Sequence, residues 1–129
     1  MMKKIMILIG SLLSINSFAQ KGPDAIVGKW MNVPKQNTII EVYKSLGKYE
    51  GKISWTKEPN DKKPVGYVIL RKLEYNPIKK IWENGEIKEP GSGVVYDARV
   101  KIKSDGLLEV HGYMGFKFLG KKKSFRRVK

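Results

Sequence analysis

The sequence predicts an all-β fold, either an antiparallel sandwich or a closed barrel of seven or eight short strands. Three observations carry that expectation. Side chains alternate with a period of two, turn-forming residues punctuate the alternating runs, and no stretch beyond the N-terminal leader keeps a helical period. The 129 residues suffice for one domain and fall short of two.

The leader comes first. Lys3 and Lys4 precede an apolar run from Ile5 to Leu13, and Ser17-Phe18-Ala19 puts small residues where a signal peptidase reads. The apolar core is too short to span a bilayer permanently. Cleavage is expected after Ala19, leaving residues 20–129 as one domain that is periplasmic or secreted and soluble. With no cysteine, the exported chain must hold together by burial alone and cannot carry a cysteine-linked lipid.

Pro23 to Ile26 is the one place where a turn of helix is expected. Thr38 to Lys44 is rich in β-branched residues and reads as a strand. Leu46-Gly47-Lys48 is a tight turn into the next, where Tyr49, Gly51, Ile53 and Trp55 alternate with Glu50, Lys52 and Ser54. That period puts Tyr49, Ile53 and Trp55 on one inward face. Glu58 to Pro64 is polar, holds two prolines and reads as a longer loop, followed by a strand from Gly66 to Lys72.

Asn84-Gly85, flanked by Ile81-Trp82-Glu83 and Glu86-Ile87-Lys88, predicts a hairpin. Tyr96, Ala98, Val100 and Ile102 then alternate with charged residues, and Ser104-Asp105-Gly106 turns the chain into Leu107 to Tyr113. Lys123 to Val128 is the last strand. A closed barrel leaves no strand edge exposed, and eight strands enclose either packed side chains or one small ligand.

Charge is the most unusual bulk property. The chain has 26 Lys+Arg and 12 Asp+Glu; without Lys3 and Lys4 that leaves 24 against 12, a net charge of +12. Residues 110–129 hold Lys117, Lys121, Lys122, Lys123, Arg126, Arg127 and Lys129 and no carboxylate. Such a field attracts anions. Outside the cytoplasm these are lipid phosphates and acidic glycans rather than nucleic acid. Lys117, Lys121, Lys122 and Lys123 are the candidate anion and membrane-surface contacts, with Phe116 and Phe118 interleaved.

Catalytic signals are sparse, and no enzyme is expected. His111 is the single histidine, so no histidine pair or histidine metal site can form. Gly115, Gly120 and Lys121 approach the phosphate-loop frame, but Lys122 stands where a Ser or Thr would hold magnesium. Gly91-Ser92-Gly93 lacks the spacing of a nucleophile elbow and reads as a turn. Glu83, Glu86, Glu89 and Asp97 form an acidic cluster that the expected hairpin would scatter over two faces. No metal or cofactor is expected. The aromatic residues are the better candidates. Tyr49, Trp55, Tyr67, Tyr96 and Tyr113 would line a pocket for an apolar or amphipathic molecule if they face a barrel interior.

An ordered set of segments resembles the bacterial domain of unknown function 2147 family. It runs through Ile26-Val27-Gly28-Lys29-Trp30, Val42-Tyr43, Tyr49-Glu50-Gly51-Lys52-Ile53 and Gly66-Tyr67-Val68-Ile69-Leu70. It continues with Trp82-Glu83-Asn84-Gly85-Glu86-Ile87, then Pro90, Gly93 and Tyr96. Leu108 to Gly115 and Phe125-Arg126-Arg127-Val128 complete it. His111, Glu89 and Phe125 depart from the family's usual Arg, Asp and Trp.

The resemblance implies a small exported protein with a lipocalin-like antiparallel β-barrel of about eight strands, and supplies no reaction, substrate or cofactor. It also implies structural roles for Gly28, Trp30 and Arg127. In lipocalin-like barrels a first-strand Trp closes one end, and a basic side chain of the last strand lies across it. Arg127 is the expected partner and Arg126 the alternate, since the two point to opposite faces. The functional expectation is binding of a small amphipathic or anionic envelope molecule. The alternative is a solid barrel acting through its surface in protein interaction or envelope stress. A pocket of about 300 Å³ or more would favour the first, and a filled core the second.

Overall fold

The computed structural model describes residues 22–58, 64–114 and 117–129, and only the backbone of residues 117–119. The expected leader at residues 1–19, most of the expected Glu58–Pro64 loop, Gly115, Phe116 and the side chains of Lys117 and Phe118 lie outside the described residues.

A 3-10 turn at Gly22–Ile26 precedes the strands β1 (Gly28–Val33), β2 (Thr38–Ser45), β3 (Lys48–Thr56) and β4 (Val68–Asn76). They are followed by β5 (Ile81–Lys88), β6 (Val95–Ile102), β7 (Leu108–Met114) and β8 (Lys117–Arg127). Each strand pairs antiparallel with the next, and β1 pairs with β8, giving a closed barrel in sequence order. Closure leaves no unpaired edge along the barrel.

Alternation sets the inside. On β6, Ala98 and Val100 are buried while Asp97, Arg99 and Lys101 are exposed. Trp30, Ile40, Val42, Tyr49, Leu70, Leu73, Trp82, Val100, Leu108 and Phe125 belong to one core cluster. Leu46 (φ 52°) and Gly47 (φ 81°) make a two-residue connection whose positive φ values suit the twist of the flanking strands.

Two local expectations fail, both at bulges. Asn84-Gly85 is not a hairpin, because Ile81–Lys88 is one strand. Asn84 does take a left-handed conformation (φ 61°), but spends it on an extra residue: Trp82 pairs with Val100, and Gly85, three residues on, pairs with Ala98, only two away. A Cβ on Gly85 would stand 2.5 Å from Leu73 Cδ2 and 3.0 Å from the Arg71 carbonyl oxygen, so the glycine makes room for the core. The hairpin lies upstream at Pro77–Lys80, where Asn76 Oδ1 accepts the amides of Ile78 and Lys79, both at 3.0 Å.

The second failure concerns Trp55. Ile40 pairs with Ile53 but Ile39 with Trp55, so Ser54 is an extra residue on β3. The bulge shifts the alternation by one, turning Thr56 inward and leaving Trp55 40% exposed. The last strand is also longer than its period suggested. It begins at Lys117, so residues 117–123 belong to the sheet and not to a loop.

Candidate functional site

One end of the barrel is sealed by the 3-10 turn, to which Trp30, Tyr49, Trp82 and Arg127 donate hydrogen bonds. Trp30 Nε1 donates to the Ile26 carbonyl and Trp82 Nε1 to the Pro23 carbonyl, each at 2.9 Å. The Tyr49 hydroxyl donates to Asp24 Oδ1 at 2.5 Å. Burial, followed by that bond to Asp24, pushes the Tyr49 hydroxyl well above its ordinary pKa. Arg127 donates to the carbonyls of Ala25 and Val27 at 2.6 and 3.0 Å, with its guanidinium 4.2 Å from the Trp30 ring centre. Gly28 (φ 134°) permits this, since a Cβ there would meet Arg127 Nη1 at 2.8 Å. Ile26, the last residue of the plug, is fully buried.

A groove of about 470 Å³ flanks the plug, lined by Pro23, Lys44, Gly47, Tyr49, Glu74, Tyr75 and Pro77. It lies between the β2–β3 and β4–β5 turns and is not the barrel interior. The interior of the plugged half is filled by the core cluster.

The far end is different. Gly112 is inward, since a Cβ there would stand 3.0 Å from Ile87 Cδ1 and 3.8 Å from Tyr96 Cβ. Ile87 pairs with Tyr96 across β5 and β6, and both are only partly buried. On β8, Phe125 is buried opposite Leu108, Lys123 lies opposite Val110, and Lys121 opposite Gly112. Directly opposed residues of an antiparallel pair share a face. Lys121 and Lys123 therefore project from the inner face, and both are exposed.

The barrel divides the aromatic candidates rather than gathering them. Tyr49 is consumed by the plug. Tyr96 faces inward near the far end. Tyr67 is half-buried before β4, its amide on the Pro64 carbonyl at 3.2 Å. Trp55 and Tyr113 lie outside. Tyr113 alternates with the inward Gly112, and its ring sits 5.3 Å from both the Arg99 guanidinium and the His111 ring. The candidate lysines divide too: Lys122 is on the outer wall opposite His111, while Lys121 and Lys123 face inward.

His111 is also on the outer wall, with only 8% exposure. Arg99 and Lys122 are its cross-strand neighbours, and its ring occupies the space that a side chain on Gly120 would need. Burial, then Arg99, Lys122 and Lys101, lower its pKa against an opposing pull from Glu109. Of the acidic residues, Glu83, Glu86 and Asp97 share the outer wall rather than two faces, with Glu86 directly opposite Asp97. Arg71 and Lys72 approach Glu86 at 3.2 and 3.6 Å, and Lys79 approaches Glu83 at 3.6 Å. Among the described residues no group of acidic or histidine side chains is placed to hold a metal ion.

Sequence reasoning missed Ile87 and Gly112, because the supposed hairpin broke β5 and Gly112 reads as a spacer. It also treated the lysine run as one surface. The signal was available: once Arg127 is placed on the Trp30 face, a period of two puts 125, 123 and 121 there as well.

No curated protein matches this chain. Among solved structures, protein HP1028 from the human pathogen Helicobacter pylori, described as belonging to the lipocalin family, is similar, with a TM-score of 0.64 and 20% identity. The match covers 81% of this chain and 83% of that one. At that identity the likeness establishes the fold, a lipocalin-like barrel. The family model described as an uncharacterized protein conserved in bacteria (DUF2147) matches residues 28–127, nearly the whole barrel from β1 to β8, and the chain belongs to that family.

Proposed function

We propose that this chain is an exported binding protein, and not an enzyme, that takes a small amphipathic or anionic envelope molecule at the far end of its barrel. The observation that carries the reading is the asymmetry of the two ends. The plugged end holds Trp30, Tyr49, Trp82 and Arg127 in bonds to the 3-10 turn, which leaves them nothing to offer a ligand. The inner face at the other end carries a partly exposed apolar pair, Ile87 and Tyr96, beside inward cations. Mostly apolar concave surface with a few convergent polar groups is what small-molecule sites are made of.

The position of His111 supports binding over catalysis, since the ring packs on the outer wall among cations, away from that inner face. The leader at residues 1–19 supports export, and the protein isolated from cells is expected to begin at Gln20.

Native mass spectrometry of protein purified gently from its own envelope tests the binding role. An added mass that disappears on denaturation is expected. A clean apoprotein mass, unchanged after incubation with envelope lipid extract, would contradict the proposal and leave the outer wall as the working surface.

A further inference from the structure

Resting on that reading of the far end, we infer that its ligand is an anionic amphiphile whose charged group is held by Lys121 and Lys123 of β8. Three observations converge. First, the register splits the lysine run. Lys122 faces outward beside His111, whereas Lys121 and Lys123 share the inner face with Phe125, Val110 and Gly112. Second, among the described residues neither inward lysine has a carboxylate partner. The ion pairs there involve Lys44, Lys48, Arg71, Lys72, Lys79 and Lys101. The carboxylates on the described strands all stand at outward positions of the alternation, as Glu41 does between Ile40 and Val42, and Glu109 between Leu108 and Val110.

Third, the lysines adjoin apolar surface. Ile87 Cδ1 leans across Gly112, the residue opposite Lys121, while Lys123 stands between Phe125 and the position of Lys121 along the same face. A lysine at an inward position is tolerated when its stem lies along apolar surface and its ammonium reaches water. Both lysines are exposed, in keeping with that arrangement. The result is an apolar wall below two cations that no carboxylate among the described residues pairs. Its complement is a short apolar chain ending in a carboxylate or phosphate, and neither a cationic nor an uncharged amphiphile matches it.

Decanoate, decyl phosphate and the uncharged decanol are the probes, titrated calorimetrically into protein beginning at Gln20. Both anions are expected to bind more tightly than decanol, with an advantage that shrinks as salt rises. The Lys121→Gln/Lys123→Gln variant should lose about tenfold in anion affinity, as two partly exposed charge pairs would give together, while its decanol affinity stays put. Lys122→Gln, on the outer wall, should leave all three affinities unchanged. Circular dichroism of each variant shows whether the barrel is intact. A preference for carboxylate or for phosphate identifies the headgroup.

Equal binding of decanol and the anions, or an unaltered anion affinity in the folded double variant, would overturn the inference while leaving a binding site at the far end. Failure of all three probes to bind would overturn both.

Discussion

The guanidinium of Arg127 lies 4.2 Å from the centre of the Trp30 ring while donating to the Ala25 carbonyl at 2.6 Å. One side chain thereby joins the last strand, the first strand and the plug. The pairing of Trp30 with Arg127 is where the barrel closes. Arg127→Ala should cost about 2 kcal/mol, the sum of a cation–π contact and hydrogen bonds from a charged donor. Arg127→Lys should recover little, because the ammonium lacks the planar fork. Urea denaturation reads the loss as a midpoint lowered by about 1 M. A midpoint unmoved in Arg127→Ala would show that the plug is held without it.

Gly85→Ala should destabilise by about 1–3 kcal/mol, as overpacking of a filled core does, because its Cβ would stand 2.5 Å from Leu73 Cδ2. Leu73→Ala alone should also destabilise, by leaving a cavity. The two together should cost less than the sum of the single changes, since the smaller side chain at 73 receives the new methyl group. Strict additivity in the double-mutant cycle would contradict the contact.

Asn84-Gly85 and Trp55 show how far the sequence can be read. The spans of β2, β3, β6 and β7, the β2–β3 and β6–β7 turns and the inward face of β6 follow from the period of two, because each of these strands buries one face. A bulge defeats the same logic. It adds one residue without any change of composition, so Trp55 looks inward by counting and is turned out by Ser54. The positive φ demanded by Asn84-Gly85 is a real signal, yet a turn and a bulge make the same demand. The candidate site was half legible. The cations were visible, but their division into inward Lys121 and Lys123 and outward Lys122 follows from the period of two only when the last strand is carried back past Lys123 to Lys117.

Trp55 also yields a spectroscopic expectation. Trp30 and Trp82 are 1% and 3% exposed, whereas Trp55 is 40% exposed. Acrylamide should quench a single fraction of the emission, and Trp55→Phe should remove that fraction and shift the remaining spectrum to the blue. A fully quenchable spectrum in Trp55→Phe would contradict the burial of the other two.

His111 sets a pH dependence with a definite sign. Burial and the nearby Arg99, Lys122 and Lys101 outweigh Glu109 and hold its folded pKa below the ordinary 6.5. The unfolded chain therefore takes up the proton first as pH falls. The stability contribution is complete above pH 6.5 and is lost as pH drops through 6.5 towards the folded value. His111→Gln should flatten the stability profile over that window. An unchanged profile in the variant would show that His111 does not titrate differently on folding.

The proposed function assigns a plug to one end of the barrel and a ligand to the other. Amide chemical-shift mapping of isotope-labelled protein, titrated with envelope lipid extract, tests it directly. Shifts are expected around Ile87, Tyr96, Gly112, Lys121 and Lys123, with Asp24 to Ile26 and the β4–β5 turn undisturbed. Shifts confined to the groove by Tyr75 and Pro77, or to the outer wall around Arg99 and Lys122, would contradict it.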